Sequence, residues 1–227
     1  IRVINPEDSE ELDNFARRFH SLRREKGIRE EEAREAMKQA NYFGAMMVAM
    51  HQADGLVSGV SHITGSVLRP LFQIIKLAPG AGVASSCMVM EVEDTGIGEK
   101  GVLFMADCGV VPEPTVEQLA EIAVSTAQLS KHLLNIRPRV AMLSYSTKGS
   151  ATHPSIGKMQ AATALARQKA EQRMFECDFD GELQVDAALV PDIGTRKAPG
   201  SAVAGRANVL IFSDLDAGNI GYKLVQR

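Results

Sequence analysis

The chain has 227 residues, enough for one large domain or two modest ones with a sizeable buried core. Acidic and basic residues nearly cancel, to a net charge of −3, and the sequence has neither a dense basic run nor an apolar run near the roughly 20 residues that cross a bilayer. Cys87, Cys108 and Cys177 lack CxxC spacing, which argues against a disulfide framework or a structural zinc site. We therefore expect a cytoplasmic protein with no nucleic-acid or membrane partner.

The first third of the chain is expected to be mostly helical. Residues 5–27 carry the cap, first-turn and stop signals of one helix, and a second, acidic helix follows. GLVSGV (55–60) indicates a short buried strand. TGSVLRPLFQIIKLA (64–78) predicts a helix that Thr64 caps and Pro70 kinks.

A domain boundary is predicted near Gly80. The stretch APGAG (78–82) interrupts the periodicity with a proline and two glycines, which is typical of a hinge. The boundary divides the chain into a first domain, 1–79, and a second α/β domain, 80–227.

The second domain shows strands interleaved with helices. A polar turn with two glycines predicts a hairpin between its first two strands, and Thr115 with Gln118 forms a capping box at the start of a long helix. The expected strands are 82–92, 101–110, 139–146, 182–190 and 207–214, and the expected helices are 115–134, a stretch of about 20 residues ending near 173, and 219–226. This order predicts an open α/β sheet with ligand sites at the carboxyl ends of its strands.

The motif STKGS (146–150) lies between a predicted strand and a predicted helix. Backbone N–H groups and the helix dipole favour an anion at such a place, and four side chains of the motif add donors and charge, namely Ser146, Thr147, Lys148 and Ser150. The GxxxxGK[ST] spacing of a nucleoside triphosphate loop is absent. The local chemistry leaves two interpretations open, an anion site and an ordinary helix-capping turn.

Two arginines are candidates for binding phosphate. Arg23 and Arg69 stand where predicted helices end or bend, and a guanidinium offers a fixed fork for two phosphate oxygens. Each taken alone is more simply explained as an exposed charge on a helix face.

Other polar residues in apolar surroundings allow two interpretations. Asp107 and Asp186 lie within or at the end of predicted strands, where a carboxylate serves either a ligand or a structural partner, and we place the structural role first. His62 and His153 flank promising loops, but no further ligand completes a metal-binding spacing, so we expect no metal.

Longer blocks of the sequence, taken in order, carry a resemblance to a known family. The blocks NYFGAMMV, ADGLVSG, LRPLFQIIK, FMADCGV, AMLSYSTKGSA, DGELQVDAALVP and ANVLIF, followed by AGNIGYKLVQR, are similar to phosphate acetyltransferase (phosphotransacetylase) over essentially the whole chain.

The resemblance implies an acyltransferase that moves an acetyl group reversibly between acetyl phosphate and coenzyme A, releasing or consuming phosphate. It also implies a two-domain, three-layer α/β/α fold similar to the isocitrate and isopropylmalate dehydrogenases. The active site of this family lies in the cleft between the domains, and the enzyme is typically a homodimer. Coenzyme A is a substrate, and no tightly bound cofactor is expected.

The resemblance also assigns roles to residues. Arg23 resembles the arginine associated with coenzyme A, and Arg69 resembles the arginine near the acyl phosphate and is the catalytic candidate. The remaining residues expected to bind substrate are Thr64, Ser66, Ser146, Thr147, Lys148 and Ser150.

Three alternatives remain open. Phosphate butyryltransferase would keep the reaction and change the acyl pocket. A non-catalytic domain that senses acetyl-coenzyme A, as in some malic enzymes, would bind without turnover. An oxidoreductase of the isocitrate dehydrogenase type is disfavoured, because no GxGxxG follows a strand and no aspartate cluster for a divalent ion is evident.

The sequence departs from the family pattern at both ends. The family carries an Asn-Asp-Leu-Ser-Arg-Gly motif, followed by the aspartate proposed as general base, beyond the block GYKLVQR, and neither is in these 227 residues. A stretch that normally begins the first domain is also missing. We therefore expect a fragment with only part of the first domain (1–79) and no general base.

The 227-residue chain alone is accordingly predicted to have little or no turnover, because a base must take the thiol proton of coenzyme A before the thiolate attacks. Thioester formation from coenzyme A and acetyl phosphate by the purified chain measures this directly. Rapid formation would contradict the prediction.

Overall fold

The computed structural model describes all residues from 1 to 227, and they form two compact units, Ile1–Ala78 and Pro79–Arg227. The first unit is entirely helical, and the second contains the sheet. No helix in either unit combines the length and the apolar character needed to cross a membrane.

The first unit contains four α-helices. They are α1 (Leu12–Arg23), α2 (Glu30–Met37), α3 (Ala40–Ala49) and α4 (Thr64–Ile74). Aromatic side chains from α1 and α3 form the centre of the core, where the rings of Phe15 and Phe43 lie 4.9 Å apart. Met37 and Met46 are fully buried beside them and fill the remaining space.

The helix expected over 5–27 is interrupted. Pro6–Asp8 forms a separate 3-10 turn, and Ser9 adopts an extended backbone before α1 begins. Arg24–Lys26 forms a second 3-10 turn, and Gly27 ends it with a positive φ of 81°, as its role as a stop signal requires.

The strand expected at 55–60 is wrong. These residues form no strand, and the side chains of Val57 and Val60 are fully exposed. A short apolar run becomes a strand only when another strand satisfies its backbone, and the first unit offers none. Instead, Ser58 Oγ donates a hydrogen bond to Asn41 Oδ1 at 2.6 Å, which ties the segment to α3.

Helix α4 is shorter than predicted, because Ile75 is extended and ends it at Ile74. Thr64 is its first helical residue and not its cap; Ile63 occupies the cap position without a side-chain hydrogen bond. Pro70 lies inside the helix and is buried.

The second unit contains five strands and five helices. They are β1 (Met88–Glu91), β2 (Val102–Ala106), α5 (Val116–Leu134), β3 (Arg139–Leu143), α6 (Pro154–Gln172), β4 (Asp178–Leu183), α7 (Val185–Leu189), α8 (Pro191–Lys197), β5 (Val209–Ile211) and α9 (Leu215–Gln226). The sheet order is β1-β2-β5-β3-β4. The predicted hairpin is confirmed, since β1 pairs antiparallel with β2, and the other strands are mutually parallel.

Side chains of the central strands alternate between two cores. Phe104, Val140 and Ile211 pack with α5 and α6, whereas Met105, Ala141 and Leu210 face the side that carries α7, α8 and α9. Helices therefore cover both faces of a sheet that is parallel in its centre, and the predicted three-layer α/β/α class is confirmed.

The strand expected over 182–190 is wrong in position. The strand is Asp178–Leu183, and the following residues form α7, in which the Ala188 N–H donates to the Gln184 carbonyl at 2.9 Å. Ala187 and Ala188 are fully buried on one side of this short helix. The apolar run is therefore a helix packed on the sheet, which periodicity alone does not distinguish from a strand.

Gly218 allows α9 to pack closely against the end of β2. A Cβ atom at this position would lie 2.1 Å from the Asp107 carbonyl oxygen, and one at Gly221 would lie 3.0 Å from the Phe212 ring. The glycine pair in DAGNIGYKLVQR thus serves helix packing.

Gly218→Ala is predicted to lower the free energy of unfolding by about 1 to 3 kcal/mol, because the backbone must move to admit the methyl group. Gly157→Ala is the matched control: Gly157 lies in α6, where an added Cβ meets nothing within 4 Å, and the higher helix propensity of alanine should stabilise by about 0.5 to 1 kcal/mol. Chemical denaturation measures both, and equal stability of the two variants would contradict the packing argument.

Candidate functional site

The carboxyl ends of four parallel strands meet at one edge of the sheet. Because β2, β5, β3 and β4 run in the same direction, the segments that follow them lie side by side there. Ligands of open α/β sheets bind at this edge. The STKGS loop (146–150) begins here, three residues after Leu143 ends β3, and leads toward α6 as the sequence predicted.

The STKGS loop binds an anionic group, but that group is the side-chain carboxylate of Glu182 and not a ligand. Ser146 Oγ donates to Glu182 Oε1 at 2.9 Å, and the Gly149 N–H donates to the same oxygen at 2.7 Å. Gln160 Nε2, from α6, donates to the other oxygen at 2.9 Å. The Glu182 carboxylate is 1% exposed and occupies the position where a bound anion was expected.

The other backbone donors of the loop are also used within the chain. The Thr147 N–H donates to Ser150 Oγ at 3.0 Å, and the Lys148 N–H donates to the Glu182 carbonyl at 3.1 Å. The Ala151 N–H donates to Ser146 Oγ at 3.2 Å. The loop is therefore fully hydrogen-bonded before any ligand arrives.

The loop residues differ sharply in exposure. Ser146 and Thr147 are buried, whereas Lys148, Gly149 and Ser150 are exposed. Thr147 Oγ1 accepts the Gln184 N–H at 2.9 Å and lies 3.2 Å from the side-chain oxygen of Gln184. Ser146 and Thr147 thus hold the loop to β4 and the residue after it, and the hydroxyl of the exposed Ser150 lies 3.2 Å from Ser146 Oγ.

Lys148 extends along β4 and forms an ion pair with Asp180, a carboxylate that is 5% exposed. Arg167 contacts the same carboxylate at 3.0 Å, and Ser201 Oγ donates a hydrogen bond to it. Burial by itself raises the pKa of Asp180, but the hydrogen bonds from Lys148 and Ser201 outweigh burial and hold the pKa below its usual range. Beside these residues lies an open surface pocket of about 280 Å³.

Sequence reasoning missed Glu182 and Asp180. Glu182 lies 33 residues beyond Gly149, so local spacing could not associate them. The available signal was the presence of three carboxylates in DFDGEL, because a carboxylate in a buried strand needs partners.

The two aspartates that the sequence singled out have different environments. Asp107 is 4% exposed and accepts hydrogen bonds from the Gly109 N–H at 3.0 Å and the Val111 N–H at 2.6 Å, while Ser86 donates through both its N–H and its hydroxyl. It organises the turn after β2. Asp186 lies in the first turn of α7 and pairs with Lys197 at 2.8 Å. Both contacts are structural.

The first unit holds the remaining predicted site residues. Thr64, Ser66 and Arg69 share α4, and Ser66 and Arg69 are three residues apart, so they are neighbours on its surface. Ser66 Oγ donates to the Ile63 carbonyl at 2.8 Å. Arg23 is the last residue of α1. Neither arginine forms an ion pair, so both guanidinium forks are available to a ligand.

Two histidines form local contacts with neighbouring serines. His153 caps α6 by accepting the Ser155 N–H at 3.2 Å, and His62 lies beside Ser61 at 3.3 Å. Histidine, cysteine, aspartate and glutamate side chains nowhere gather in groups of three or more that could hold an ion.

Comparison with known proteins agrees with the sequence resemblance. The family model described as "Phosphate acetyl/butaryl transferase" matches residues 1–227. The chain belongs to this family. It is 55% identical over 225 residues to the phosphate acetyltransferase of Thermoanaerobacterium thermosaccharolyticum, covering 99% of this chain and 67% of that protein.

Solved structures agree with the family assignment. The EutD phosphotransacetylase from Staphylococcus aureus superimposes with a TM-score of 0.84 at 44% identity, over 100% of this chain and 66% of that one. A phosphotransacetylase from Streptococcus pyogenes gives a TM-score of 0.87 at 43% identity, over 99% and 65%. The chain thus spans about two thirds of the length of these relatives. The predicted family and the predicted fold are confirmed.

Asp180→Asn is predicted to weaken the fall in the free energy of unfolding that the wild type shows as the pH becomes acidic. A carboxylate with a lowered folded pKa stabilises above its ordinary value of 3.8, and this stabilisation is lost as the pH falls through the folded value. Near neutral pH we expect a loss of roughly 2 to 3 kcal/mol, less than for a fully buried pair because Lys148 and Arg167 remain partly exposed.

Asp178→Asn provides the control on the same strand. Asp178 pairs with the exposed Arg137 at 2.9 Å, and exposed pairs contribute about 1 kcal/mol or less. Urea denaturation between pH 2.5 and 7 measures all three proteins, and an Asp180→Asn curve parallel to that of the wild type would contradict the assignment.

Proposed function

We propose that the protein, as its gene encodes it, is a phosphate acetyltransferase that transfers an acetyl group reversibly between acetyl phosphate and coenzyme A. The 55% identity to a relative named phosphate acetyltransferase carries this proposal. The family description includes butyryl transfer, but relatives at 45 to 55% identity are named for the acetyl reaction. The acetyl group is therefore the favoured substrate.

In the proposed reaction a base takes the thiol proton of coenzyme A, and the thiolate attacks the acetyl carbonyl. The bond from the carbonyl carbon to the phosphate oxygen then breaks, which gives acetyl-coenzyme A and inorganic phosphate. Cationic donors stabilise the oxyanion and the departing phosphate. A free thiol has a pKa near 8.5, so a modest push from a base and a positive field suffices near neutral pH. We assign the base to no residue of this chain.

The proposed roles of the first-unit residues follow from their chemistry. Arg69 holds the acyl phosphate, with Thr64 and Ser66 of the same helix as hydroxyl donors. Arg23 holds coenzyme A, whose phosphates suit a guanidinium fork. All four residues lie in the first unit, Ile1–Ala78.

The STKGS loop is proposed as a wall on the phosphate side. Ser146 and Thr147 contribute by fixing its shape, since both are buried and bonded to residues 182–184. Ser150 and Lys148 are the exposed polar residues of the loop, and the Lys148 ammonium is paired with Asp180. No metal and no tightly bound cofactor enter this scheme.

We also propose that the protein works as a homodimer in the cytoplasm. Three cysteines without disulfide partners are compatible with a reducing compartment. Analytical ultracentrifugation of the encoded protein tests the dimer, and cell fractionation tests the compartment.

Arg69→Ala is predicted to lower kcat/KM for acetyl phosphate by about 100-fold to 1000-fold, the usual cost of removing one donor to a developing charge. Arg18→Ala is the matched control, because Arg18 is an exposed arginine on α1 that forms no ion pair. Steady-state formation of acetyl-coenzyme A measures both. A normal rate at saturation together with a normal acetyl phosphate dependence would make Arg69 a surface charge.

The acyl preference has its own measurement. Rates with acetyl and butyryl phosphate are compared on the encoded protein, and faster butyryl transfer would reverse the proposed specificity. Binding of coenzyme A without any turnover would instead indicate a sensing domain.

A further inference from the structure

Strand β4 lies at the edge of the sheet, and one of its sides has no strand beside it. The sheet order β1-β2-β5-β3-β4 leaves β3 as its single neighbour. The Asp178 N–H donates to the Pro138 carbonyl at 2.9 Å, on the side of β3. Because the backbone groups of successive residues alternate between the two sides of a strand, those of Phe179 and Gly181 point away from β3. An open row of such groups is a template for pairing with a strand of another molecule.

Side chains occupy one backbone group of each outward-facing residue. Arg167, from α6, donates from both Nε and Nη2 to the Phe179 carbonyl oxygen, at 2.9 and 2.7 Å. The Gly181 N–H donates to Asp180 Oδ1 at 3.0 Å. An added strand uses both the N–H and the carbonyl of each residue with which it forms a hydrogen-bonded pair. Neither Phe179 nor Gly181 has both groups free for such a pair.

The Arg167 guanidinium is itself held in place across this edge. Its Nη2 lies 3.0 Å from Asp180 Oδ1, and Asp180 is fixed in turn by Lys148 and by the Ser201 hydroxyl. Asp180 is 5% exposed, whereas half of the Arg167 side chain is exposed, so the guanidinium lies at the surface and the carboxylate beneath it. An arriving strand must displace charge-assisted hydrogen bonds and cover an ion pair.

We propose that Arg167 and Asp180 close the outer edge of β4 against strand pairing with a second copy of this protein. The second copy is the relevant partner, because it presents the same edge, and two identical edges form a self-complementary two-fold contact. Arg167 is the decisive residue, since its guanidinium supplies both side-chain donors to the Phe179 carbonyl. Removing it opens that residue to a full pair of backbone hydrogen bonds.

The test compares Arg167→Ala, Arg167→Lys and Arg173→Ala with the wild type of the encoded protein. Arg173→Ala is the matched control: it removes the same charge and leaves a buried carboxylate, Glu121, with one lysine partner, but Arg173 covers no strand edge. Arg167→Lys keeps a cation at the edge, and lysine is widely used to protect such edges. Sedimentation velocity at about 0.15 M salt measures species larger than the wild-type assembly, and the thermal midpoint shows that each variant is folded.

Arg167→Ala is expected to raise the association constant for these larger species about tenfold, the value of one hydrogen bond to a charged donor. Arg167→Lys and Arg173→Ala should stay within about twofold of the wild type. Amide hydrogen exchange adds a local measurement. In the associated form of Arg167→Ala, exchange should slow over residues 178–183, because the added strand then binds the outward backbone groups of β4.

Equal association of Arg167→Ala and Arg173→Ala would overturn the proposal. Larger species of Arg167→Ala whose residues 178–183 gain no protection from exchange would overturn it as well, and so would a wild type that already associates through these residues. If Arg167→Ala does not fold, Arg167→Met keeps the apolar stem and removes every donor, and it must show the same rise in association.

Discussion

The hydrogen bonds between the Glu182 carboxylate and the STKGS loop are the constraint on which the carboxyl edge of the sheet depends. A buried charge that loses a partner costs several kcal/mol, whereas each neutral hydrogen bond contributes only about 1 kcal/mol. The loop therefore has one strongly preferred conformation, because any other leaves the carboxylate without donors. The same requirement fixes α6 beside the loop, since Gln160 satisfies the second oxygen at 2.9 Å.

Other buried carboxylates of the second unit also have bonding partners, but the partners are of different kinds. Glu121 joins α5 to the end of α6 through Lys169 and Arg173, and Asp107 binds the turn after β2 through backbone N–H groups. No buried side-chain nitrogen or oxygen of the chain lacks a hydrogen-bond partner. The few polar side chains in the interior therefore all have hydrogen-bond partners. This favours a single arrangement of the segments between the strands.

Local signals predicted the three longest helices of the second unit, missed α7 and α8, and predicted the short apolar runs poorly. The capping box of Thr115 and Gln118 fixed the start of α5, and the structure has both of its hydrogen bonds. The runs at 55–60 and 182–190 have the apolar pattern of strands, but one is exposed and the other is largely α7. Whether such a run becomes a strand depends on a free edge elsewhere in the chain, which the run itself does not encode.

The candidate site shows the same division between local and distant information. The sequence identified STKGS as a loop suited to an anion, and its donors do hold one, but the anion is a side chain from a neighbouring strand. Because these donors are already satisfied, the loop contributes mainly its shape, and the charge of its one cation, Lys148, is largely neutralised by Asp180. Stabilising a departing phosphate requires uncompensated cations. Under the proposed function that requirement falls on the unpaired guanidinium groups, and above all on Arg69.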